Sequence, residues 1–381
     1  MSHSAAVTPL VSKQVCLGTR MQKIVHIVLW CLIASAVYWN YSAKMDWYER
    51  GIGLGAFVGI LMLAIKWPTL SMSALVAVGG AVVAQQLYHD QLGNADQRFG
   101  LKFLLSSQAA MSWMSMCFFL AWGSYALGNQ LRSAFSWKVG NALAWSAVTL
   151  GLTGLLVRWY ESYLYGPEIG HIPISNLYEV SVVFSIFTSC IYLYFESRYA
   201  RFELGAWAMG MMSAWVVFLL WYGMTRQAHE IQPLVPALQS YWMKIHVPAN
   251  FIGYGGFTVA AMTGMVVLVG QRKGQFVVSE TILMEWMYRS ITVGFTFFTI
   301  ATILGAVWAA EAWGGYWSWD PKEVWALVVW LNYAAWLHFR LTKGQRTTVL
   351  AVWSVVGFFV TLFAFLGVNI FLSGLHSYGK L

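Results

Sequence analysis

Charge is scarce in this chain: Asp, Glu, Lys and Arg make up 10% of its 381 residues, against about 25% in a typical soluble domain. That shortage excludes an ordinary water-soluble globule. Cysteine is scarcer still, with Cys16, Cys31, Cys117 and Cys190 the full complement. None stands in a CxxC or CxxCH spacing, and the pattern reads as small apolar side chains rather than disulfides or redox thiols. The sequence also lacks internal repeats and low-complexity tracts. It has no basic, aromatic-interleaved soluble module, so the formal net charge of +8 makes no case for a nucleic-acid partner.

Apolar runs of roughly 18 or more residues, the length that crosses a bilayer as a helix, recur through most of the chain. The sequence predicts an all-α polytopic integral membrane protein with about eleven transmembrane helices joined by short loops. They start near Ile24, Gly51, Leu70, Gln108, Val139, Leu177, Leu204, Pro248, Arg289, Glu323 and Thr347; the second, over 51–67, is short and rich in glycine. The first run follows Lys13, Arg20 and Lys23 and lacks a small-residue cleavage site, so it is expected to remain as an uncleaved helix. With the N-terminus inside, the majority of the 23 Lys and Arg fall on the inner side, as the positive-inside rule requires. The net charge therefore reads as topology. Histidine, tryptophan and conspicuous loops concentrate after about residue 160. The chain divides softly there, into packing or partner-contact helices over 1–150 and a functional membrane domain over 151–381.

Eight histidines are present: His3, His26, His89, His171, His229, His246, His338 and His376. An ionisable side chain within a span is costly and marks a candidate site. His26 and His338 both lie within predicted spans, near the inner side. A backbone hydrogen bond, or snorkelling toward the headgroups beside Arg340, accounts for His338 equally well, and the end of a helix near Lys23 tolerates His26. His246, in "QSYWMKIHVPAN", and His376, in "NIFLSGLHSY", sit at the outer ends of two different spans. Between them in sequence comes "WGGYWSWDPKE".

Asp320, Pro321 and Glu323 are explained by helix initiation: an N-cap, a proline at the first helical position and a capping box. The aromatics are not. Tryptophan and tyrosine favour membrane interfaces, but a belt is spread over many helix ends, whereas Trp313, Tyr316, Trp317 and Trp319 lie within one turn region hinged by Gly314 and Gly315. Flat indoles stack on a large planar ligand, and glycines let backbone approach it closely. Two neutral imidazoles flanking such a shelf suit bis-axial ligation of a haem iron.

These residues resemble the tryptophan-rich WWD signature of the cytochrome c assembly family, whose branches include CcsA, CcmC and CcmF. The resemblance covers roughly 155–381, and "HIPISNLYE", over 171–179, together with the chain length, is most similar to the CcsA branch, the membrane subunit of System II cytochrome c synthases. It implies c-type cytochrome biogenesis at a bacterial inner membrane, with the N-terminus cytoplasmic and the WWD segment and C-terminus external. A non-covalently held b-type haem would be ligated by His246 and His376 beside Trp313, Trp317, Trp319 and Asp320, and presented to the CxxCH of an apocytochrome c for thioether formation. His338 corresponds to a ligand of an inner haem site whose second histidine belongs to a ResB/CcsB-like partner, with His26 a substitute. Two other readings stay open: a b-type electron-transfer subunit, which would place paired histidines in helix cores, and a transporter with broken helices, at which Gly253, Gly255 and Gly256 hint.

Overall fold

The computed structural model describes residues 20–41, 47–342, 346–372 and 374–375. Among them the regular structure is entirely helical. In chain order the α-helices are α1 (Arg20–Tyr41), α2 (Trp47–Lys66), α3 (Pro68–Tyr88), the single turn α4 (Asn94–Gln97), α5 (Ser107–Leu131), α6 (Ala134–Tyr165), α7 (Leu177–Tyr199), α8 (Gly205–Arg226), α9 (Met243–Lys273), α10 (Glu280–Trp313), α11 (Pro321–Leu341), α12 (Thr347–Leu362) and α13 (Val368–Phe371). All eleven predicted runs fall on helices. Seven of these helices, α3, α6, α7, α8 with its leading turn, α9, α10 and α12 through α13, are long and apolar enough to cross a membrane. Of the others, α4 is a single turn, the apolar part of α2 spans only Gly53–Lys66, and in α11 Lys322, Glu323, Asn332, His338 and Arg340 dilute the apolarity.

Local chemistry sets the boundaries. Ser106, Ser133 and Asn176 cap α5, α6 and α7 by accepting from the amides of Ala109, Ser136 and Glu179, which satisfies donors that a helix start leaves open. Pro68 and Pro321 occupy first-turn positions, where the missing amide hydrogen costs nothing. The predicted start of the eighth run near Pro248 is early-turn rather than boundary: α9 begins at Met243, and the His246 amide already bonds to the Trp242 carbonyl at 2.8 Å. His246 is thus a helix residue. At 34 residues α10 extends about 51 Å at 1.5 Å per residue, against about 30 Å of hydrocarbon, so part of it stands clear of the apolar layer.

The core gathers on α9. In its apolar stretch 78% of residues are buried, against 22% for α3; α9 packs on α7, α8, α10 and α12, whereas α1 and α2 reach the bundle alongside α3, which lies on α6. Glycines make the close approaches. A Cβ on Gly256 would lie 2.7 Å from the Ser290 carbonyl oxygen, and one on Gly264 would lie 2.8 Å from that of Ala351. Gly253 and Gly255 likewise face Phe298 and Thr188. The glycines read as a hint of a broken helix are therefore contact points along an unbroken one. Cys117 and Cys190 are buried thiols and Cys31 is exposed on α1; Cys16 lies outside the described residues.

Candidate functional site

One end of the bundle carries the start of α9, the end of α10, the start of α11 and the chain beyond α13. His246 projects from the first turn of α9 onto α10. Its Nδ1 lies 2.7 Å from the carbonyl oxygen of Ala301. A carbonyl only accepts, so Nδ1 carries the proton and, in the neutral ring, Nε2 carries the lone pair. That arrangement orients an imidazole for metal ligation and raises its basicity. The ring lies against Gly305, where a Cβ would come within 2.9 Å of Cε1, and against the Trp308 indole, centroid to centroid 5.7 Å. Trp308 in turn packs on Trp313 at 5.2 Å and donates its Nε1–H to the Ala237 carbonyl at 2.8 Å, while Ser240 donates to Glu311 at 2.6 Å. The loop before α9 is thereby tied to the end of α10.

Ala301, Gly305 and Trp308 escaped the sequence reading. Their spacing of four and three residues puts them on one face of a helix, two small residues below a large ring. That pattern could have suggested a seat for a side chain from a neighbouring helix.

After Gly314, which closes α10 in the left-handed conformation at φ 79°, the aromatic loop turns outward. Tyr316 is 67% and Trp319 69% exposed. Trp317 and Trp319 meet edge to face at 5.8 Å. Trp319 itself has φ 60°, a conformation that costs a side-chain-bearing residue of order 1–3 kcal/mol. Asp320 then turns inward: it is 6% exposed, accepts from the Lys322 amide at 3.0 Å and forms the capping box in which Glu323 accepts from the Asp320 amide at 3.1 Å. Its other oxygen accepts from the Leu375 amide at 2.6 Å. His376, the next residue, lies outside the described residues.

The "HIPISNLYE" stretch, at the same end, is a buried polar network. His171 Nδ1 approaches the Ile169 carbonyl at 2.6 Å and Nε2 the Ser175 hydroxyl at 3.0 Å. Ser175 donates to Glu179 through both its amide and its hydroxyl, and Glu179 pairs with Arg158 at 2.7 Å, both side chains 1% exposed. Arg158 also donates to the carbonyls of His229 and Glu230. Buried charges survive only when paired and fully hydrogen-bonded, and these are.

His338 is exposed on α11 near the helix end remote from the aromatic loop. His26 is buried in α1, and its Nδ1 has no hydrogen-bond partner among the described residues. The main packing partners of the two helices differ: α2 and α3 for α1, α10 and α12 for α11. The structure thus brings His246, Trp308 and Trp313 together, and Asp320 with the residue before His376.

The family model described as Cytochrome C assembly protein matches residues 174–376, more than half of the chain. The chain belongs to the cytochrome c assembly protein family. It is 39% identical over 239 residues to the cytochrome c biogenesis protein CcsA of Chlamydomonas reinhardtii, an alignment taking in 59% of this chain and 64% of that protein. The proteins of the same name from Parasynechococcus marenigrum (strain WH8102) and Synechococcus sp. (strain CC9311) are 36% and 35% identical over 255 and 287 residues. Those alignments cover 59% and 64% of this chain, and 81% and 91% of the relatives. Among solved structures, the cytochrome c heme lyase CcmF shares the fold, with TM-score 0.55 at 18% identity over 68% of this chain and 46% of that one. The chain thus spans less than two thirds of the algal relative and less than half of the lyase. The resemblance read from the WWD residues, with CcsA as the nearest branch, is borne out.

Proposed function

We propose that the aromatic-loop end of the bundle receives haem and presents it for covalent attachment during c-type cytochrome assembly. The observation that carries this reading is the seating of His246: Nδ1 on the Ala301 carbonyl, ring between Gly305 and Trp308, in a chain of this family. A fixed tautomer with Nε2 as electron-pair donor is what an axial ligand to haem iron requires, so the residues fit the group. His246 and His376 are the ligand pair, and the exposed Tyr316 and Trp319, with Trp313 and Trp317, supply aromatic rings that meet the porphyrin by a face or an edge. The haem is b-type and non-covalently held.

When bound, haem supplies two vinyl groups. The chain's own residues hold one porphyrin edge against the aromatic loop and leave the other open to the two thiols of a CxxCH apocytochrome. Each thiol adds across a vinyl C=C: an S–C bond forms, the thiol proton goes to the other vinyl carbon, and no electrons are lost overall. Orientation supplies most of the rate, because two reactants held in contact react as one molecule. His246 or His376 would give up its place to the apocytochrome histidine as the product forms.

The loop end faces the outside of a bacterial inner membrane, with the N-terminus cytoplasmic, in keeping with the distribution of Lys and Arg. Residues 151–381 carry this activity, and 1–150 form packing and partner-contact helices. A ResB/CcsB-like membrane protein is the partner. His338, exposed on α11, is a ligand of an inner haem site that this partner completes.

A cytochrome c maturation assay in cells expressing the chain with such a partner tests the reading. His246→Ala is expected to abolish covalent cytochrome c, and imidazole in the medium to restore part of it. Full maturation by both His246→Ala and His376→Ala would turn attention to transport of another hydrophobic solute.

A further inference from the structure

We infer that Asp320 and Lys322 are positioning residues for the C-terminal histidine: they pin the end of the last helix and the turn that leads to His376, rather than touching haem. The inference rests on the proposed role of His376 as a ligand. α12 does not end regularly. It passes into a π turn over Phe363–Gly367 before α13, and such turns disturb the carbonyl ladder and are frequent at functional sites. Lys322, partly buried, reaches this turn and donates from Nζ to the carbonyls of Ala364 at 3.0 Å and Phe365 at 2.8 Å. Two residues earlier, Asp320 accepts from the Leu375 amide at 2.6 Å. The approach is close enough that a Cβ on Gly374 would fall 2.1 Å from the carboxylate, so only glycine allows this contact as it stands.

The capping box locks Asp320 to the first turn of α11. The start of α11 is thus fastened to the end of α12 by an ammonium on two carbonyls, and to the chain after α13 by a carboxylate on an amide. The Trp325 and Phe363 rings, 4.4 Å apart, fill the space between α11 and the π turn. Charge-assisted hydrogen bonds of this kind are the strong ones, and they hold the chain at Ala364, Phe365 and Leu375, ahead of His376. The "WGGYWSWDPKE" segment therefore has two parts. Tyr316 and Trp319 face outward; Asp320 and Lys322 hold the chain that leads to the second imidazole.

The test uses the full chain, haem-loaded together with its partner. Asp320→Asn leaves one acceptor oxygen for the Lys322 and Leu375 amides; in the orientation that keeps the helix cap, which asparagine makes as well as aspartate, the NH2 faces Leu375 and cannot accept. The readout is the spin state of ferric haem by electron paramagnetic resonance, with His376→Ala as the reference. Two axial imidazoles give a low-spin iron, and loss of one gives a high-spin fraction. Asp320→Asn is expected to show that high-spin fraction, the docked turn being disfavoured about tenfold for a lost hydrogen bond to a charged group. Added imidazole should return it to low spin, and Asp320→Asn/His376→Ala should match His376→Ala alone. Should Asp320→Asn fail to accumulate, Lys322→Met carries the same expectations. If His376→Ala is high-spin while Asp320→Asn and Lys322→Met stay fully low-spin, the inference is overturned and the haem reading stands. If His376→Ala is itself indistinguishable from the unmodified chain, both fall.

Discussion

His171 and Glu179 are 8% and 1% exposed, while Tyr316 and Trp319, in the other conspicuous stretch at the same end of the bundle, are 67% and 69% exposed. In "HIPISNLYE" His171, Ser175 and Glu179 join a network with Ser162 and Arg158. In "WGGYWSWD" Tyr316 and Trp319 turn outward, and the backbone adopts an unfavourable angle at Trp319. Burial of paired polar groups is how a fold fixes helices relative to one another, whereas exposed aromatics on a strained loop gain nothing for stability. Comparable prominence in sequence therefore corresponds to two different arrangements: the first stretch holds the helices, and the second, on the proposed function, is where the ligand is met.

Substitutions should separate the two. The largest effect is expected for Arg158→Met, which strands the Glu179 carboxylate in the interior at a cost of about 3–5 kcal/mol. Thermal unfolding in detergent should show the loss, and Arg158→Met/Glu179→Gln should recover part of it. His171→Ala leaves the Ile169 carbonyl and the Ser175 hydroxyl each short of a partner and is expected to cost about 1–3 kcal/mol in the same measurement. Trp319→Gly should act in the opposite sense. Relief of the positive φ offsets the lost contact with Trp317, so stability should hold or rise by about 1 kcal/mol, while cytochrome c maturation falls. Tyr316→Ala, an exposed change, should stay within about 0.5 kcal/mol in stability and again lower maturation. A Trp319→Gly or Tyr316→Ala protein that unfolds early yet matures cytochrome c at the normal level would erase the contrast between the stretches.

The helices were legible because a bilayer fixes the length of an apolar run, and the start of α11 was legible because a capping box is a local pattern. His246 could be singled out as a polar residue at the end of an apolar span. Its seat could not: the Ala301 carbonyl is 55 residues away, on a helix whose packing against α9 depends on glycines that look, in sequence, like breaks. The same holds for Asp320 and Leu375, also 55 residues apart. Asp320 reads in sequence as a cap or as a ligand-contacting group; its second oxygen is committed to a long-range contact that only the folded chain reveals. The Arg158–Glu179 pair was invisible for a related reason, since a charge near the end of a long helix reads as topology until its partner is known.

The proposed function depends most on His246 being an axial ligand. The visible spectrum of reduced haem in the purified full chain, compared between the unmodified protein and His246→Ala with and without imidazole, tests this directly. Loss of the sharp b-type bands in His246→Ala and their return with imidazole is the predicted result. Unaltered bands and unaltered haem content in His246→Ala, in a protein that unfolds at the normal temperature, would contradict it.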